Sequence, residues 1–201
     1  MRPTEILMQE HRVIEQVLDC LELIAEKSSD KGVLDVESAE QAIDFFRNFA
    51  DRCHHGKEED CLFPLLESKG FSREQGPTGV MLDEHEAGRN HVRGMVEAIS
   101  AVVAGNQQAQ ETFVSHAVAY VQLLRQHIQK EDHCLFQMAD QTLSSEDQKQ
   151  LLESFAHVEH DDLGPGTHER YLDIATDLVN RYGVRCGSDK IPASSHCCGQ
   201  H

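Results

Sequence analysis

The chain of 201 residues has no tryptophan, only three tyrosines, and an aromatic content of 5%. Runs of β-branched residues are scarce too, so the usual material of a β-sandwich or barrel is missing. Five prolines leave long segments of Ala, Glu, Gln and Leu uninterrupted, which points to an all-α protein. No apolar run approaches the roughly 20 residues that a membrane-spanning helix needs. The N-terminal MRPTEILMQEHRVIEQ also lacks the apolar centre of a signal peptide. A soluble, cytoplasmic chain with no membrane partner is expected. Basic residues are in short supply as well: 18 Lys and Arg stand against 35 Asp and Glu, a formal net charge of −17. Such a surface repels phosphate backbones and argues against nucleic acid as a partner. The seven cysteines are an odd number, and Cys20, Cys53, Cys61 and Cys134 fall within expected helices. That suits reduced thiols better than a disulfide framework.

Histidine, by contrast, is abundant at 13 residues, and its placement is ordered. His54-His55-Gly56-Lys57-Glu58-Glu59-Asp60-Cys61-Leu62-Phe63 returns 73 residues later as His127-Ile128-Gln129-Lys130-Glu131-Asp132-His133-Cys134-Leu135-Phe136. Four residues make about one helical turn, so each His and its following Glu share a helix face. The apolar stripe says which face. Ala39, Ile43, Phe46 and Ala50 lead at helical spacing to His54, Glu58, Cys61 and Leu65; Phe113, Ala117, Tyr120 and Leu124 lead to His127, Glu131, Leu135 and Met138. A surface His–Glu pair would lie opposite that stripe; these lie within it. Burying an uncompensated carboxylate costs several kcal/mol in rough terms, and the chain does so twice. A metal ion removes the difficulty, because imidazole and carboxylate become its ligands.

The duplication extends further. A first helix from Thr4 to Lys27 carries Leu7, His11, Ile14 and Leu18 on one face. A third, from Pro77 to about Val103, carries Met81, His85, Gly88 and Val92. His11 and His85 stand 74 residues apart, each preceded by Glu. A lone His on an apolar face is usually a hydrogen-bonded core residue; its recurrence makes both candidate ligands. The polar linker Ser28-Ser29-Asp30-Lys31-Gly32 turns the chain back into a second helix, which Pro64 must disturb. The expected fold is an antiparallel up-down four-helix bundle over residues 1–142, built from a duplicated helical hairpin. An extension over 143–182 adds one or two helices, the first capped by Ser144, and 183–201 forms a flexible tail holding Cys186, Cys197 and Cys198. Two half-sites then face each other: His11, His54, Glu58 and His85, His127, Glu131. Bundle cores of this kind hold paired metals with shared carboxylates.

On these residues the chain resembles the hemerythrin-like (HHE cation-binding) domains over roughly residues 4–140. The resemblance implies two non-haem irons, oxo- or hydroxo-bridged, held by the six residues just named. It further implies chemistry with, or sensing of, O₂, peroxide or nitric oxide. An iron or oxygen sensor, an iron-handling protein without turnover and a reversible O₂ binder are the alternatives. Oxygen-carrying hemerythrins resemble this chain but have a second His one turn after the third-helix His, where Arg89 stands here. His91 is turned about 240° away. A more symmetric, less His-rich pair is therefore expected, unless a helix of the extension contributes a ligand. His55 and Glu59 are rotated about 100° from the proposed ligands and are weaker candidates for the metal or its surroundings. Glu159, His160 and His168 are weaker still, though their segment resembles an extension of some bacterial members and could present a surface to a protein partner. Cys61 and Cys134 are expected in the core, Tyr120 and Tyr171 in packing roles, and Gly88 either opens space beside the site or brings helices close.

Overall fold

A computed structural model of the chain describes residues 1–74, 76–159 and 166–184, and all of its regular structure is helical. Helix α1 (Pro3–Lys31) runs one turn beyond its expected end, because Ser28 is buried and its carbonyl accepts from Gln110 Nε2 at 2.7 Å. Gly32 stops it at φ 68, a left-handed conformation that a Cβ would disfavour. Asp35 caps α2 (Val36–Phe45), its carboxylate accepting from the Ser38 amide at 3.2 Å. The same helical arm continues through π-helical turns at Phe46–His55 and Glu58–Leu62 into α3 (Phe63–Ser68). Helix α4 spans Pro77–Val103 and α5 spans Ala109–Lys130. The α5 arm runs on through a π-helical turn at Glu131–Leu135 into α6 (Phe136–Thr142). Helices α7 (Ser145–His157) and α8 (Thr167–Tyr182) complete the described chain.

The π turns correct the expected core register. A π turn takes in one more residue than an α turn, so every inward position beyond it moves one residue along the chain. The expected stripe after Glu58 was Cys61 and Leu65; the buried residues are Leu62, Phe63 and Leu66. After Glu131 the buried residues are Leu135, Phe136 and Ala139, and Met138 is exposed. Cys61 is accordingly only half-buried and Cys134 is exposed. Pro64, which cannot donate to the turn before it, stands two residues past the Glu58–Leu62 turn. It is not a requirement, since Gln137 holds the matching place in the second copy.

Contacts between α1 and α5 run in opposite chain order: His11 meets Glu131, Arg125 meets Asp19 and Glu22, and Gln110 meets Ser28. Between α4 and α5 the order is His85 with His127, then His91 with His116. Helix α8 packs along α1 and α2, with the Tyr171 hydroxyl 3.2 Å from Asp44. Two apolar clusters result. One joins Ile14, Phe46, Ala50, Val92 and Leu124; the other joins Leu7, Leu62, Phe63, Met81 and Leu135. Each of the four arms passes from one cluster to the other, and each places His or Glu at the crossing. The site is thus a polar layer between two dry ones. Among the described residues no helix is long and apolar enough to cross a membrane. His160 and the expected tail with Cys186, Cys197 and Cys198 lie outside the described residues.

Candidate metal centre

All six residues of the duplicated pattern meet in that layer, and each is at most 1% exposed. Glu58 reaches across both halves: its Oε1 is 3.6 Å from His54 Nε2 and its Oε2 is 3.5 Å from His85 Nε2. Glu131 Oε2 lies 3.3 Å from His11 Nε2 and 3.2 Å from His127 Nε2. Two groups of potential ligand atoms, each with its members within 4.8 Å of one another, emerge: His11, His54, Glu58, Glu131, and His55, Glu58, His85, His127.

His55 departs from the expected symmetric arrangement. In an α-helix it would point about 100° away from His54, but both sit in the π-helical stretch Phe46–His55. There the angle between neighbours is smaller, so both can face inward. His55 is 5% exposed and its ring stacks on His85 at 3.8 Å. The second copy has Ile128 at this place, on regular helix. The centre therefore gathers five imidazoles, three on one side and two on the other. His91 lies apart, its Nδ1 3.2 Å from His116 Nδ1.

Each imidazole is held from behind by a carboxylate. His11 Nδ1 pairs with Asp132 at 2.7 Å, His54 with Glu10 at 2.9 Å, His85 with Glu59 at 2.7 Å and His127 with Glu84 at 2.9 Å. His55 has the longest link, 3.4 Å to Asp51. With Nδ1 engaged as donor, Nε2 is left as a lone-pair ligand aimed at the centre, the usual support of a metal-binding imidazole. The sequence reading missed Glu10, Glu84, Asp132 and Asp51 in this role; the signal for the first three was an acidic residue next to His11, His85 and Glu131, while Asp51 lies four residues before His55. Glu59, a candidate for the metal or its surroundings, takes the second place: it orients His85 and accepts from Arg89 at 2.6 Å. Arg89 also donates to Asp51 at 2.9 Å. It thus occupies the place of the carriers' extra His with a clamp on two of these carboxylates.

Charge is unevenly spread over the layer. Burial, and then the charge of Glu131, push the Glu58 carboxyl far above its usual range. Burial also opposes ionisation of Glu131, yet His127 and His11 hold it well below. Burial depresses His55 to about 4 and His85 to about 3, and it lowers His54 with help from His11. His127 rises to about 9 against burial because Glu131 and Glu84 flank it; Asp132 and Glu131 do the same for His11.

The arrangement fits metal ions. His11 Nε2, His54 Nε2 and both oxygens of Glu58 and of Glu131 are buried without a hydrogen-bond partner. Native interiors rarely leave such groups orphaned, and here six converge on one layer. Ligands bound at about 2.1 Å and at right angles to each other stand about 3 Å apart. His85 Nε2 and His127 Nε2 are separated by 3.0 Å.

The sequence profile described as Hemerythrin HHE cation binding domain matches residues 2–139. The chain belongs to this family. Its domains bind metal cations, typically iron. Similar curated proteins include two from Mycobacterium tuberculosis and one from Mycobacterium bovis, each described only as an uncharacterized protein. Each is 26% identical over 184 residues, covering 90% of this chain and 70% of the relative. No solved structure matches.

The extension residues lie off the centre. Lys57, fully buried, donates to Glu10 and to Glu159. His168 packs its ring 5.1 Å from Phe49. Glu10, Cys53, Glu159 and His168 also approach one another closely enough to hold a cation, but the Lys57 ammonium already pairs with both carboxylates of this group.

Proposed function

We propose that the chain is a non-haem di-iron protein that reacts with or senses O₂, peroxide or nitric oxide. The six orphaned ligand atoms between two apolar layers carry this reading. His55, His85 and His127 would hold one iron, His11 and His54 the other, with Glu58 shared and Glu131 completing the second. The opposed contact order of α1, α4 and α5 supports an antiparallel up-down four-helix bundle as the frame, with 143–182 as an added helical unit. Bound iron would supply redox electrons and open coordination positions to the small molecule. The chain's own part is to fix five imidazoles by their Nδ1 atoms and to keep bulk water out between the two apolar clusters.

A sensor without turnover is the second reading, favoured by one chain of contacts. Glu159 in the extension touches Lys57, Lys57 touches Glu10, and Glu10 holds His54. A change at that iron would thereby reach the extension and any protein partner on it. Anaerobic iron loading, followed by O₂, peroxide and nitric oxide in turn, tests both readings. About two irons per chain and a near-ultraviolet charge-transfer band are expected. Steady consumption marks an enzyme, and a single spectral change with altered hydrogen exchange in α7 and α8 marks a sensor. A colourless protein without iron affinity would sink both.

A further inference from the structure

A cavity of about 250 Å³ opens beside the three-imidazole group, with His55 and His85 in its wall. Its other lining is of two kinds. Arg47, Arg89 and Arg93 stand around it with only one carboxylate, Asp51, on a chain whose net charge is −17. Phe46, Val92 and Tyr120, all buried, give it an apolar wall. Gly88 keeps the base open; a Cβ there would stand 3.4 Å from Tyr120, and any longer side chain would enter the space.

The guanidiniums are not equally engaged. Arg89 is taken up by Asp51 and Glu59. Arg93 donates to Glu86 and Asn90 on its own helix, on the exposed surface. Arg47 has no hydrogen bond or ion pair among the described residues. A concave opening with one guanidinium, Arg47, free of an acidic partner among those residues is a place where an otherwise acidic surface can hold an anion. Guanidinium also matches the planar geometry of a carboxylate. A water molecule's share of liquid is about 30 Å³, so a diatomic molecule would fill only a small part of this volume.

We propose that the cleft binds a small organic monocarboxylate. Arg47 and Arg93 hold its carboxylate at the mouth, and its apolar body lies on Phe46, Val92 and Tyr120 towards His55 and His85. The proposal names a ligand class for the proposed di-iron centre and rests on that reading only for what the ligand meets at its inner end. Binding itself requires no metal.

Benzoate serves as the probe, with benzamide as its uncharged analogue and nitrate as a bare anion. Binding is followed by NMR titration of the full chain, metal-free and iron-loaded, with iron content measured on the same samples. Benzoate should bind at least tenfold tighter than benzamide, shift Val92 and Tyr120 resonances, and weaken with added salt. Arg47→Ala with Arg93→Ala should cut benzoate affinity at least tenfold and leave benzamide unchanged. Both side chains are exposed, so the variant should keep its fold and iron. Equal binding of benzoate and benzamide overturns the proposal, as does unchanged benzoate affinity in the double variant. Nitrate competing as strongly as benzoate overturns the organic class. Failure of iron loading with benzoate binding intact removes the di-iron reading alone.

Discussion

Lys57 and Lys130 occupy matching places in the two copies of the hairpin, and each reaches back to the glutamate that holds its neighbouring histidine. Lys57 touches Glu10 behind His54; Lys130 touches Glu84 behind His127. Yet the Lys57 side chain is 0% exposed and that of Lys130 is 43% exposed. The difference comes from outside the repeat, because the chain just past α7 brings Glu159 onto Lys57. A second asymmetry lies inside the repeat, where the first copy has His55 and the second has Ile128. Duplication therefore supplies the common plan of one imidazole from α1 or α4 and a His–Glu pair from the following arm. One π-helical stretch and one added segment make the two halves chemically different.

The strongest way to break the comparison is to give the first copy the residue of the second. His55→Ile leaves the three-imidazole group with Glu58, His85 and His127, while the group of His11, His54, Glu58 and Glu131 keeps all its members. Iron should fall from about two per chain to about one, as read by elemental analysis after anaerobic loading. Adding Ile128→His should not restore it, because residue 128 lies on regular α-helix. Two irons retained in His55→Ile would show that the symmetric set of six suffices.

Periodicity made most of this fold legible, because a stripe such as Leu7, Ile14, Leu18 or Phe113, Ala117, Leu124 needs only α-helical spacing. The repeated His-x-x-x-Glu did the same for four of the central residues, and the repeat of the whole hairpin for His11 and His85. That same α-helical spacing turns His55 away from the centre, but residues 46–55 do not keep it. Nothing in the composition of that stretch announces a π-helix, and the separate π turns at Glu58–Leu62 and Glu131–Leu135 move Cys61 and Met138 off the expected core positions. The carboxylates behind the imidazoles depend on which helices lie side by side. Glu10 precedes His11 but holds His54, and Asp132 follows Glu131 but holds His11. Such crossed partners are a property of packing.

A smaller effect is expected from the two lysines, and it sharpens the first asymmetry. Removing Lys57 leaves Glu10 facing a buried layer without its cation, and breaking a buried pair costs about 3–5 kcal/mol. Lys130 is solvated, and an exposed pair contributes about 0–1 kcal/mol. Urea unfolding of Lys57→Met and Lys130→Met should therefore separate the variants by at least 2 kcal/mol, on the order of the difference between those ranges. Equal losses would mean that the extension does not seal Lys57 in solution.

The smallest effect concerns the other end of the extension. Asp147 closes a capping box with Ser144 at the start of α7 and accepts from Lys69, just past α3, at 2.8 Å. Lys69, and then Ser144, pull its pKa down to about 2, against about 3.9 for an unfolded aspartate. A carboxyl with a depressed folded pKa stabilises above its unfolded value, and that contribution fades as pH falls towards the folded one. Asp147→Asn keeps a side chain able to cap but loses the charge facing Lys69. Wild type should melt at a slightly higher temperature than Asp147→Asn at pH 5, and the gap should close between pH 4 and pH 2. Unlike Glu159 on Lys57, this contact is with a half-exposed lysine, so added salt should shrink the gap at pH 5. A difference that persists undiminished at pH 2 would show that the variant acts through the cap and not through the ion pair.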